Sequence, residues 1–158
     1  MSGRLSAVDV VATLDAPNPP AAVFAWLDDL SRYPEWLDIV PRAVAADAAR
    51  GDPGPAWLVD LRGRLGPLAR SKRLRMVRTT HEPPTTVVFE RRELDDRHHS
   101  PWVLQATVDP TVDGCQVTMN LHYGGGLWGP VIERLLGDEI EQSRPRLLDC
   151  ITSTPKQR

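Results

Sequence analysis

Cysteine is scarce in this 158-residue chain, and the two that occur, Cys115 and Cys150, stand far apart and match no metal-ligand spacing. Buried free thiols are therefore expected rather than a disulfide. Long apolar runs are missing too. None approaches the roughly 20 residues that span a bilayer, and the N-terminus lacks the apolar segment and small-residue cleavage site of a signal peptide. Cytoplasmic location is the resulting expectation. No charge of one sign prevails: a formal net charge of −2 gives no global attraction to nucleic acid or anionic membrane. The sequence also has no Gly-x-Ser-x-Gly elbow, no phosphate-cradling glycine loop, no His-Glu-x-x-His and no Cys-x-x-Cys. Each absence removes a chemistry, so no catalytic set, no metal site and no cofactor is expected.

What remains is ordinary for one globular domain over residues 1–158, with 41% apolar and 25% charged residues. Such a chain buries roughly two-thirds of its unfolded surface. Residues 5–14 place Val8, Val10, Ala12 and Leu14 on one face at period two, which predicts a strand. Pro19 and Pro20 suit the first turn of a helix, whose amides lack intrahelical partners in any case. Val23, Phe24, Trp26, Leu27 and Leu30 continue it as an apolar stripe. Pro34 is placed to open a second short helix through Trp36 to about Ile39. Segments near 42–49, 55–65, 67–78, 85–94, 101–109 and 114–123 have strand length. Gly51-Asp52-Pro53-Gly54, Gly66-Pro67, Pro83-Pro84, Asp95-Asp96 and Asp113-Gly114 separate them, predicting an antiparallel meander. After Gly124-Gly125-Gly126, read as a flexible hinge, an amphipathic helix is expected over 127–152, kinked or broken at Pro145, with 154–158 as a frayed tail.

The order strand, two short helices, six strands, long helix resembles the helix-grip arrangement of the START-like, or Bet v 1-like, superfamily. The residues that carry the resemblance are the Pro-rich helix opening with Phe24 and Trp26, the segment Asp29-Leu30-Ser31-Arg32-Tyr33-Pro34-Glu35-Trp36, Val108-Asp109-Pro110, Asp113-Gly114-Cys115-Gln116-Val117-Thr118, and Glu133-Arg134-Leu135-Leu136. It implies an α+β fold: a curved antiparallel sheet of about seven strands around a long C-terminal helix, with two short helices after the first strand. It further implies a hydrophobic internal pocket, though not one activity, since one fold hosts many functions.

Strand parity names the candidates for the pocket wall. Trp57, Val59 and Leu61 share a face, as do Leu74 and Met76, Val87 and Phe89, and Trp102, Leu104 and Ala106. Trp36 and the helix residues Trp128, Ile132 and Leu136 complete the expected ligand-binding set. Each is equally a core residue, because pockets and cores use the same side chains. Arg91 continues the Val87–Phe89 parity. A guanidinium aimed inward needs a carboxylate, a phosphate or an oxygen-rich ligand; near a strand end it can instead snorkel to water. In aromatase/cyclase relatives an inward arginine with aromatic residues orients a poly-ketone chain. His122 and Tyr123, beside the triple glycine, could serve as base and donor or merely cap a strand end. His98-His99 lies in an apparent loop and reads as solvated. Residues 62–78 carry Arg62, Arg64, Arg70, Lys72, Arg73, Arg75 and Arg78 without an acidic residue. A solvated convex face explains them; a transient membrane-surface contact is the sharper reading. No aromatic residue interleaves with these arginines, which argues against nucleic acid.

Three functions follow. The first is binding or carriage of a hydrophobic small molecule (a lipid, isoprenoid or polyketide) between the sheet and the C-terminal helix. The second is a polyketide aromatase/cyclase or dehydratase, which requires at least two of Arg91, His122 and Tyr123 to converge inside the cavity. The third is a protein-interaction module with a filled core.

Overall fold

The computed structural model describes residues 7–65, 68–124 and 129–153, with side chains described for all of these except 7–8, 64–65, 68–70 and 129–136. Strand β1 (Ala7–Ala16) leads through a short helix α1 (Pro20–Phe24) and a 3-10 helix (Leu30–Glu35) into β2 (Arg42–Ala46), β3 (Ala56–Leu65), β4 (Leu68–Glu82), β5 (Thr86–Arg91), β6 (Trp102–Thr111) and β7 (Gly114–Gly124). The chain then enters the long helix α2 (Gly129–Ser153). All seven strands form one antiparallel sheet in the order β1-β7-β6-β5-β4-β3-β2. This is the helix-grip fold. Gly66-Pro67, the hinge glycines 125 and 126, the expected start of the helix at 127–128 and the 154–158 tail lie outside the described residues.

Local chemistry accounts for most boundaries. Pro20 opens α1, with Pro19 as its N-cap. The second short helix departs from expectation: it starts at Leu30 and encloses Pro34 instead of opening on it. Its start is set by Asp29, whose carboxylate accepts from the Ser31 amide at 2.9 Å. The Tyr33 hydroxyl donates to the Leu27 carbonyl at 2.8 Å and ties the two helical segments together. At the β6–β7 turn Gly114 is required. It has a φ of +157°, and a side chain there would collide with the Ala16 carbonyl. Pro145 neither ends nor interrupts α2, although it removes the amide that would bond the Glu141 carbonyl.

Two different elements cover the concave face. Phe89, fully buried, lies edge-on to Tyr33 (ring centroids 6.3 Å apart) and to Trp57 (5.5 Å), so the 3-10 helix packs this part of the sheet. Elsewhere α2 faces β1, anchored by buried Leu147 and Ile151.

The basic segment does not form one solvated face. Arg73 is exposed and pairs with Asp60. Arg78 donates to the Asp28 carbonyl at 3.0 Å. Arg75 is a correction: on the face opposite Leu74 and Met76 it is buried, its side chain only 4% exposed. Its guanidinium donates to Asp52 at 2.7 Å, to the Asp47 carbonyl at 3.0 Å and to the Arg92 carbonyl at 3.1 Å. This bond from Arg75, helped by the Ala49 amide, holds the Asp52 carboxyl below its usual range. The loop between β2 and β3 is thereby pinned over the convex face, and this closure over 23 residues is what buries the arginine. Arg75→Met is expected to lower the melting temperature clearly further than Arg73→Met, because it strands a buried carboxylate. Calorimetry that gave equal shifts would show the loop contact to be dispensable.

Candidate functional site: a cavity between sheet and helix

A cavity of about 120 Å³, counted as room for the centres of water-sized spheres, lies between the sheet, the 3-10 helix and α2. One water needs roughly 10–15 Å³ on that measure. Strand alternation builds the wall. Val10, Ala12 and Leu14 come from β1, and Val117, Met119 and Leu121 from β7. These two strands pair so that Ala12 faces Met119 and Val10 faces Leu121. Leu104 and Trp102 on β6, Leu74 and Met76 on β4, and Val59 and Leu61 on β3 continue the surface. Ile140 and Leu147 of α2 close it, with Leu30, Tyr33, Trp36, Leu37, Ile39 and Val40 on the remaining side.

Of the residues expected to contact ligand, Trp36, Val59, Leu61, Leu74, Met76, Trp102 and Leu104 lie on this wall. Trp57, Val87 and Phe89 share the strand parity but are not on the wall; all three are buried core. Ile132 and Leu136 fall on α2 where side chains are not described, and Trp128 lies outside the described residues. Parity alone could not separate Val59 from Trp57, since both point the same way and differ only in what covers them.

The three candidate chemical groups do not converge. Arg91 stands across from Met76, on the concave parity, but is not on the wall. Its side chain, 8% exposed, donates through Nε to Glu93 at 2.8 Å and through Nη1 to the Ser100 carbonyl at 3.2 Å. Its Nη2 meets His99 Nδ1 at 3.3 Å. His99 is thus not merely solvated, since its other nitrogen meets Asp95 at 2.7 Å. His122 alternates away from the cavity and pairs with Asp9 at 3.0 Å. Tyr123 is buried against Trp102, with ring centroids 4.5 Å apart. Burial is the first cause of a raised thiol pKa at both Cys115 and Cys150.

Sequence reasoning missed the polar residues of α2 that border the cavity: Glu139, Ser143 and Arg144. The Ser143 hydroxyl is committed to the Ile140 carbonyl at 2.8 Å. The Tyr33 phenol is likewise committed, and burial holds its pKa far above the ordinary range. Glu139 is different. Its carboxyl makes no hydrogen bond among the described residues, and its pKa is raised, first by desolvation and then by Asp38. A carboxyl with a raised pKa penalises folding once it must ionise, so the penalty is absent in acid and fully present above the raised pKa. Glu139→Gln is expected to stabilise the protein at neutral pH by less than about 1 kcal/mol, given screening of a part-exposed group. The gain should vanish as pH falls below the ordinary glutamate range. Urea unfolding across pH checks this, and a gain that persisted in acid would contradict it.

Comparison with known proteins agrees with this architecture. The family model described as polyketide cyclase/dehydrase and lipid transport matches residues 7–147. Among solved structures, a protein from Thermus thermophilus is similar over 96% of this chain and 100% of its own, with a TM-score of 0.69 and 16% identity. A START superfamily protein from Mycobacterium smegmatis is similar over 94% and 99%, with a TM-score of 0.67 and 14% identity. The di-domain ARO/CYC StfQ of the steffimycin biosynthetic pathway is similar over 92% of this chain, with a TM-score of 0.64 and 16% identity; this chain spans 50% of its length. No curated protein sequence matches significantly. The family match covers the sheet, both short helices and most of α2: the chain belongs to the polyketide cyclase/dehydrase and lipid transport family, within the START-like superfamily.

Proposed function

We propose that this protein binds or carries an apolar small molecule, such as a lipid, isoprenoid or polyketide, in the cavity between the sheet and α2. The observation that carries the reading is the wall itself: nearly every lining residue is aliphatic or aromatic. Transfer of a ligand into such a space gains roughly 25 cal/mol per Å² of apolar surface removed from water. Family membership supports the same class of ligand. The cavity also weighs against an interaction module, which would have a filled core. The test is native mass spectrometry of the purified protein with organic extraction of whatever denaturation releases. An apolar adduct near unit stoichiometry would support the reading. A protein that stays free of ligand after incubation with lipids, quinones and aromatic polyketides would overturn it.

One observation favours a second reading, a cyclase or dehydratase. Glu139 brings a carboxyl of raised pKa to a mostly apolar wall. Such a group keeps its proton to higher pH and can donate it to a departing hydroxyl, which leaves as water while the adjacent acidic carbon loses its proton to solvent and that electron pair forms the C=C bond. Arg91, His122 and Tyr123 do not supply that chemistry from where they stand. No described helix is long and apolar enough to cross a membrane.

A further inference from the structure

Buried polar atoms that meet no partner are few in a folded protein, and each asks for an explanation. Among the described residues such side-chain atoms are Asn18 Oδ1, Trp36 Nε1, Thr79 Oγ1, Trp102 Nε1, Asn120 Oδ1 and Arg144 Nε. They divide by place and by chemistry. Asn18, Thr79 and Asn120 lie off the cavity wall, and their orphaned atoms are oxygens. Trp36, Trp102 and Arg144 lie on it, and their orphaned atoms are all N–H donors.

The two indoles are the sharper signal. Arg144 is partly exposed and already commits Nη2 to Glu141. Trp36 and Trp102 are buried, and each side chain has a single polar atom. An indole nitrogen donates and does not accept, so only an acceptor satisfies it. Buried tryptophan usually finds such a partner, and phenylalanine would serve a purely apolar wall without an orphaned donor. Here each indole packs against a phenol ring instead, Trp36 on Tyr33 with centroids 4.8 Å apart and Trp102 on Tyr123 at 4.5 Å. Neither phenol oxygen meets an indole N–H. Trp36 caps the 3-10 helix and Trp102 opens β6, so the donors belong to separate parts of one wall. Both rings border the cavity, which gives them room to turn an N–H toward a ligand oxygen.

We propose that Trp36 and Trp102 are the polar recognition points of the cavity, each donating its indole N–H to an acceptor oxygen of the ligand. The ligand is then an apolar molecule that carries carbonyl, ester or ether oxygens, and a bare hydrocarbon is the poorer occupant. This rests on the reading of the cavity as a binding site and narrows the chemistry it takes. A carbonyl that leaves water for a wall without donors loses its hydrogen bonds outright. Against these indoles it regains one, and the donor left unpaired by the protein is satisfied in the same step.

The experiment uses the full chain with N-phenyl-1-naphthylamine, a neutral fluorophore, as reporter. Two competitors of one shape are compared, 2-acetylnaphthalene and 2-isopropenylnaphthalene, in which a methylene replaces the carbonyl oxygen. On a wall without donors the hydrocarbon would lead by about tenfold or more, because only the ketone has hydrogen-bonded water to lose. The expected result is that the ketone displaces the reporter at an equal or lower concentration. NMR of isotope-labelled tryptophan side chains, assigned with Trp36→Phe and Trp102→Phe, reads the bond directly. At least one of these two indole protons should move downfield with the ketone and not with the hydrocarbon. The substitution that removes the responding N–H should restore the hydrocarbon's lead while the reporter still binds. A tenfold lead for the hydrocarbon on the unaltered protein, or two indole protons indifferent to the carbonyl, overturns the donor proposal and leaves the cavity standing. If the reporter and both competitors fail to bind, the cavity reading falls and takes the proposal with it.

Discussion

Replacing Met119 by tryptophan is expected to abolish uptake of apolar ligands while leaving the protein folded. Met119 lies on the cavity wall, and its cross-strand neighbours on either side are Ala12 and Ala106. The small neighbours leave room for an indole to swing into the cavity instead of into packed core. Denying a ligand space for three or four methylenes removes about 3 kcal/mol of transfer free energy, which is about a hundredfold in affinity. The stability cost should stay below about 1.5 kcal/mol, because the ring fills existing space. Fluorescence titration with a neutral naphthylamine and urea unfolding of the same sample separate the two effects. Undiminished binding in a folded variant would place the ligand elsewhere.

Phe89→Ala should be the most damaging single truncation. The ring is fully buried, and two aromatic partners meet it edge-on, Trp57 at 81° and Tyr33 at 84°. Losing a buried phenylalanine side chain costs about 3–5 kcal/mol through lost transfer energy and the void left behind. The aromatic contacts add to this. For a domain of this size the melting temperature should fall by about 10 °C. The urea midpoint should drop with its slope unchanged, since the surface exposed on unfolding hardly alters. The variant should also weaken ligand binding, because Tyr33 is both the neighbour of Phe89 and part of the cavity wall. A loss under about 1 kcal/mol would mean that Trp57 and Tyr33 collapse into the space.

The fold was legible because its signals are local. Pro20 at the first turn of α1, the alternation along β7 and the Asp113-Gly114 turn each act within a few residues. The site was legible only where parity decides. Val59, Leu74 and Leu104 could be placed inward from their own strands. The alternation of Val117, Met119 and Leu121 carried the same signal, but its use required knowing that β7 pairs with β1 in front of α2. Arg75 was opaque for a related reason. Nothing near it in sequence distinguishes it from Arg73; the difference is a loop that returns from residues 47–52 to cover one and not the other. Glu139 reads as one more charge on a charged helix face until the helix is docked. Pro145 misled because docking holds a helix together where its isolated sequence would break.

The pairing of β1 with β7 also sets when the cavity can exist. Strands β2 to β7 follow one another as neighbours, so each pair can zip from its own turn. Ala16 pairs with Cys115 and Ala7 with Gly124, and each of these contacts closes a span of about a hundred residues. Such closures are slow because their entropy is lost before any contact is gained. During synthesis β1 emerges first and must wait for β7, holding Val10 and Leu14 without their partners. The wall needs β1 and α2 together, so the cavity is complete only once both have docked. A ligand that occupies it draws that docking forward by mass action.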